Sequence, residues 1–114
     1  MHGIGVSIDL EKALIYIKRS AYQGFIRTQV SLAFMYFDGI GVTQNKSKAY
    51  IRFKVVADEE YHERAQLMVG MMHEYGEGER QNIEKALKYY KRAADQGNID
   101  AQNKLKYHEE SFEN

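Results

Sequence analysis

The 114-residue sequence contains no cysteine, no proline and no tryptophan. Without cysteine there is no disulfide framework, no thiolate metal site and no cysteine nucleophile. That fits a reducing compartment, and a cytoplasmic setting is the expectation. The opening Met1-His2-Gly3-Ile4-Gly5 lacks the basic region and apolar stretch of a secretion signal. No apolar run approaches the roughly 20 residues of a membrane span. Charge of either sign is not in excess either: Lys plus Arg and Asp plus Glu stand at 16 each. No bulk charge therefore draws the chain to nucleic acid or anionic lipid. The balance is uneven along the chain, with eight basic and three acidic residues in Met1–Ala57 against eight and thirteen in Asp58–Asn114. With few helix breakers, the nine glycines read as placed turns between helices.

What is present is a repeat. Gly3-Ile4-Gly5-Val6, Gly39-Ile40-Gly41-Val42 and Gly76-Glu77-Gly78-Glu79 open three copies of one pattern, spaced 36 and then 37 residues apart. Ten residues after each leading glycine comes Ala13, Ala49 or Ala86, each preceded by lysine, and eight further on Ala21, Ala57 or Ala94. The extra residue of the middle copy lies within Asp58–Arg64. Each copy resolves into two helices. Asp9, Asn45 and Asn82 are expected to cap the second helix of each pair, because their short polar side chains accept from free N–H groups of the first turn. Ala13/Ile17/Ala21, Ala49/Phe53/Ala57 and Ala86/Tyr90/Ala94 then recur at helical spacing. Gly24 and Gly97 should end these helices, and Glu60 marks a turn that closes differently. The first helices of each pair are expected over Ile26–Phe37, His62–Tyr75 and Ile99–Ser111. Ala33 and Gly70 fall where two helices meet closely, and Gly39 and Gly76 where the chain reverses. A lone hairpin cannot bury its apolar face, so hairpins must stack. The expected fold is all-α: a right-handed solenoid of antiparallel hairpins with about six helices, divided as 1–24, 25–60, 61–97 and 98–114.

The segment GEGERQNIEKALKYYKRAADQGNIDAQ, from Gly76 to Gln102, resembles the Sel1-like repeat family, which is tetratricopeptide-like. The G-x-G turn, the Lys85-Ala86 pair, Tyr89-Tyr90, Arg92-Ala93-Ala94, Gln96-Gly97 and Ala101-Gln102 carry the resemblance, which covers nearly the whole chain. The middle copy departs from it, with Glu59-Glu60 for Gln-Gly and His73 where tyrosine is usual. The resemblance implies adaptor or scaffold roles, with a hydrolase like the family's β-lactam-binding relatives as a distant third reading. Some β-lactam-binding or β-lactam-hydrolysing relatives depend on cysteine pairs that this chain lacks. By phase, two complete hairpins are flanked by half-hairpins. Lys106 and Glu109 suit a polar cap at the end, whereas Leu14, Ile15, Tyr16 and Ile17 leave the beginning apolar on several sides.

Sharper chemistry finds little support. The G-x-G turns lack the third glycine of a dinucleotide loop and the Gly-Lys-Ser/Thr of a phosphate loop. His2, His62, His73 and His108 form no His-Glu-x-x-His pair, so no metal site is assigned, and no cofactor or catalytic residue either. Lys46, Lys48, Arg52 and Lys54 read as a solvated face, and Tyr16, Tyr36, Tyr89 and Tyr90 as core.

In a tetratricopeptide-like stack the first helices line the concave side. Register then puts Arg27, Val30, Phe34 and Phe37 there, followed by Arg64, Leu67, Met71 and Glu74, then Asp100, Asn103 and Tyr107. Exposed stripes seldom collect Val, Phe, Leu and Met, and such patches mark interaction sites. The expected function is a non-catalytic adaptor that binds a partner helix or peptide in this groove, rimmed by Arg27, Arg64 and Glu74, with no nucleic-acid partner and no membrane insertion. A second reading is a piece of a longer solenoid that packs on neighbouring repeats or self-associates through the Leu14–Ile17 face.

Overall fold

The computed structural model describes residues 3–59 and 62–113, and the side chains of 12–13, 15–59 and 62–110 within them. The described residues form five α-helices: α1 (Gly3–Asp38), α2 (Lys46–Glu59), α3 (Glu63–Tyr75), α4 (Ile83–Asp95) and α5 (Ile99–Glu113). Each packs on its successor, giving an elongated stack of 74 × 36 × 17 Å. This is the expected all-α repeat architecture.

Local chemistry sets the hairpins. The Asn45 side chain accepts from Lys48 N–H and the Asn82 side chain from Lys85 N–H, both at 3.0 Å, so both expected caps start their helices. The preceding turns repeat bond for bond. Gly39 and Ile40 donate to the Met35 carbonyl, Asn45 to Tyr36 and the Gln44 amide to Phe37; thirty-seven residues on, Gly76 and Glu77 donate to Met72, Asn82 to His73 and the Gln81 amide to Glu74. Gly78 has φ 78°, and a Cβ there would meet the Lys46 carbonyl oxygen at 2.3 Å, so this turn stacks on the start of α2 by direct backbone approach.

Packing follows from small residues opposite rings. Ala33, Ala49, Phe53, Val56, Ala57, Ala65 and Val69 form one buried cluster with Tyr50, Met72 and Tyr89; Ala86, Tyr90, Ala93 and Ala101 form a second. Where α4 carries Tyr90, α3 carries Gly70; at the same register α2 carries the smaller Phe53 and α1 the larger Ala33. A Cβ on Gly70 would lie 2.6 Å from Tyr90 Cε1, so the close contact expected there is present.

The first copy departs from expectation. Helices over 9–24 and 26–37 were expected to be separate, yet α1 runs unbroken through Gly24, and Gly3, Gly5 and Asp9 lie inside it rather than in a turn and a cap. The reason is legible at one position. Asn98 accepts from Ala101 N–H to start α5, and His62 Nδ1 accepts from Ala65 N–H to start α3. The equivalent residue in the first copy is Phe25, which has no acceptor, so nothing competes with continuing the helix. Gly24 alone does not stop it, since glycine in a helix costs only about 1 kcal/mol. As a consequence Tyr16, expected in the core, is 72% exposed, and Ala13, Ile17 and Ala21 are exposed with it. The side chain of Leu14 and the whole of Glu60 lie outside the described residues. At the other end Lys106 and Glu109 face solvent.

Gly70→Ala should lower unfolding free energy by about 1–3 kcal/mol, the usual penalty for overpacking a tight core. Ala33→Leu should act in the same direction. Urea titrations of both variants check this, and a wild-type midpoint for Gly70→Ala would mean that the Tyr90 ring yields without cost.

Candidate protein-interaction groove

The second half of α1, then α3, then α5 succeed one another along one side of the stack, and two open depressions lie between them. The first, ≈ 700 Å³, is lined by Tyr22, Ile26, Arg27, Val30, Phe34, His62 and Arg64, among others. The second, ≈ 590 Å³, is lined by Leu67, Met71, Glu74, Tyr75, Asp100, Asn103, Lys104 and Tyr107. They meet on α3, where Arg64 and Leu67 stand about one turn apart.

Each expected groove residue now has a place. Arg27, Val30, Phe34 and Arg64 line the first depression and Leu67, Met71, Glu74 and Tyr107 the second, whereas Phe37 lines neither and lies under the Lys46 ammonium at 5.0 Å. Phe34 divides its surface between core and groove. One side packs edge-on against Phe53 at 4.9 Å, and the Arg64 guanidinium stands over the ring at 5.5 Å. Leu67 and Met71 likewise rest on the cluster around Tyr90. Tyr22 and Ile26 were not anticipated, although they continue the Val30–Phe34 stripe at four-residue intervals. The expected break at Gly24 separated Tyr22 from that stripe, whereas Ile26 stood at the first position of the expected helix.

Glu74 differs most from expectation. Placed at the rim by register, it is buried, only 8% exposed, and holds three helices together. Its carboxylate accepts from the Tyr90 hydroxyl on α4 and, on α5, from His108 Nε2 at 2.8 Å and Lys104 Nζ at 3.2 Å. Burial by itself would raise this carboxyl, but the hydrogen bonds from Tyr90, His108 and Lys104 outweigh it and hold Glu74 below its usual range. Burial and the bond to Glu74 push the Tyr90 phenol far up. The groove's open charges are therefore Arg27 and Arg64 at the α1 end and Asp100 at the α5 end, where Lys104 is engaged by Glu74.

His73, one residue from Glu74, belongs to a different network. Its Nε2 is 2.8 Å from the Tyr50 hydroxyl, and its ring stacks on Tyr89 at 6.1 Å, away from the groove. Burial holds His73 below the ordinary histidine range, and burial does the same to the capping His62. On the same far side Asp58 accepts from Lys54, Tyr89 and Arg92; these bonds keep it low against the opposing effect of burial, and burial plus the Asp58 bond push Tyr89 up to about 12.

The Sel1 repeat family model matches residues 1–25, 27–51 and 63–98. The mouse protein named Protein sel-1 homolog 2 is 40% identical over 57 residues, 50% of this chain and 8% of that protein. The Candida glabrata protein named ERAD-associated E3 ubiquitin-protein ligase component HRD3 is 35% identical over 52 residues, 46% of this chain and 6% of its own length. The chain thus spans less than a tenth of these relatives. A solved Sel1 repeat protein from Oxalobacter formigenes superposes with a TM-score of 0.69 at 29% identity, covering 84% of this chain and 71% of that one.

Acid should destabilise the chain in two stages. The unfolded chain binds protons at His62 and His73 more readily than the folded chain, so stability is full above the ordinary histidine value of about 6.5 and falls as pH drops through it. Glu74 and Asp58 are held low by the fold, so their contributions persist until pH falls through the carboxylate range. In melts across pH 7.5 to 3, the variant carrying His62→Asn and His73→Gln should lose the first stage and keep the second. An unchanged profile would mean that neither histidine is held neutral by the fold.

Proposed function

This chain belongs to the Sel1 repeat family, and from that premise we propose that it is a non-catalytic interaction module whose groove takes an apolar helix or extended segment of a partner protein. The observation that carries this reading is the pair of depressions meeting on α3, walled by Ile26, Val30, Phe34, Leu67 and Met71. Met71 adds an adaptable surface, and Tyr107 offers a large ring with a polar tip at the open edge. The open charges at the two ends orient the partner: acidic groups towards Arg27 and Arg64, basic groups towards the exposed Asp100. A relative named as a component of an E3 ubiquitin ligase supports a role within multiprotein assemblies.

Desolvating such a strip contributes about 25 cal/mol per Å² of apolar area, before the costs of ordering both partners. A few central side chains carry most of the energy at such surfaces. Phe34 and Met71 are central, but they also pack on the core, so serine there would confound folding with binding. Arg64 and Tyr107 are exposed and separate the two effects.

Peptides selected from a random display library on the folded chain should therefore shift backbone NMR signals of α1 beyond residue 26, of α3 and of α5. Tyr107→Ala should weaken them by about tenfold or more with an unchanged melting temperature. Arg64→Glu should chiefly reduce the binding of acidic peptides and its salt dependence. Shifts confined to the outer faces of α2 and α4 would overturn the groove assignment.

A further inference from the structure

The second repeat shows what covers the outer edge of a hairpin in this stack. α2 lies across α3 and α4: the Gln66 amide donates to the Ala57 carbonyl at 3.1 Å, Tyr50 bonds His73 at 2.8 Å, and Asp58 accepts from Tyr89 at 2.7 Å and from Arg92 at 3.1 Å. Thirty-seven residues earlier, Gln66, His73, Tyr89 and Arg92 correspond to Gln29, Tyr36, Arg52 and Val55. No helix lies over that set among the described residues: Val55 is exposed, and Gln29, Tyr36 and Arg52 are half-buried, with Arg52 donating to Gln29 at 2.7 Å and standing over the Tyr36 ring. With Phe25, Lys48 and Ile51 the set lines a shallow apolar depression of ≈ 370 Å³, where Phe25, Ile51 and Val55 are all exposed.

The chain also carries the helix that matches this seat. Tyr50, Ala57 and Asp58 of α2 correspond, 36 residues earlier, to position 14, Ala21 and Tyr22. Ile15, Tyr16, Ile17 and Tyr22 are exposed on that stretch of α1. It cannot reach its own seat, because it lies on the same unbroken helix: at 1.5 Å per residue, Ala21 and the Gln29 it would have to meet are about 12 Å apart along the axis.

We propose that a second copy of this chain provides the cover, the two copies exchanging residues 12–22 reciprocally so that each α1 lies antiparallel on the other's α1 and against its α2. The register agrees with itself. Equivalence pairs Ala21 with Gln29 and position 14 with Tyr36, and both pairs are centred on residue 25. A two-fold axis at residue 25 makes the contact self-complementary, the same patch serving both copies. Gly24, where a Cβ would find nothing within 4 Å, falls at the crossing and lets the helices approach. The chemistry changes in concert on both sides of the seat. Asp58 with Tyr89 and Arg92 becomes Tyr22 with Arg52 and Val55, an aromatic ring facing a cation and an aliphatic side chain. The absent cap at Phe25, which keeps α1 straight, is what leaves the segment free for a partner copy.

A cysteine-free chain makes the test direct. With Tyr22→Cys and Val55→Cys introduced together, mild oxidation should give a covalently linked dimer, while each single variant should not form it comparably. Sedimentation of the unmodified full chain at micromolar concentration should show twice the monomer mass. Phe25→Asn, which restores the capping residue found at Asn98, should shift the species to monomer and turn the disulfide intramolecular. A monomeric, internally linked product from the double-cysteine chain would show that residues 12–22 fold back on their own seat, and it would overturn the exchange. Absence of any disulfide, or a monomer mass for the unmodified chain, would overturn it as well.

Discussion

The contact between the Tyr90 ring and the bare backbone of Gly70 organises the second complete hairpin. A ring can lie that close only where no Cβ intervenes, and the approach brings α3 and α4 within reach of one another along their length. It also carries the phenol hydroxyl to Glu74, which in turn collects Lys104 and His108 from α5. One carboxylate thereby ties three consecutive helices, and a buried charge is tolerated because every bond it accepts comes from a polar or cationic donor. The floor of the second depression, with Leu67 and Met71 above the Tyr90 cluster, rests on this junction.

The two sides of the stack divide their chemistry. On the α2–α4 side, Tyr50–His73 and Tyr89–Asp58 knit neighbouring repeats through polar bonds, and Gln66–Gln96 closes the second complete hairpin. On the side of α1, α3 and α5, apolar side chains stand half-exposed, and apart from the Glu74 cluster few polar bonds close the gap between helices. A stack whose stability is held on one side can leave the other side adaptable, which is the usual arrangement in solenoids that present a concave surface.

The first copy shows how little separates a hairpin from a rod. Asn98 and His62 each provide one acceptor at a helix start, and a turn forms; Phe25 provides none, and α1 continues for 36 residues. A capping bond is worth about 1 kcal/mol, comparable with what glycine costs inside a helix. Burial of Ala13, Ile17 and Ala21 would normally decide between the two outcomes, and a straight α1 leaves these residues in solvent.

The period, the caps at Asn45 and Asn82, the buried Ala49, Phe53, Ala86 and Tyr90, and the close contact at Gly70 could all be read from the sequence. Each is either local or repeated, and a spacing that recurs three times constrains neighbours without knowledge of the whole. Most of the face that lines the two depressions, Phe37 excepted, was legible for the same reason, since i, i+3 and i+4 steps assign residues to a helix face. Tertiary structure decided the rest. Glu74 looked like a rim residue because its own helix says nothing of Tyr90, Lys104 and His108, which converge on it from two later helices. Tyr16 looked like core because its position in the repeat is a core position, but burial belongs to a partner surface and not to a residue. The fate of Gly24 lay between these cases: its local signals are nearly balanced, and such a balance is settled only by what the helix on either side has to pack against.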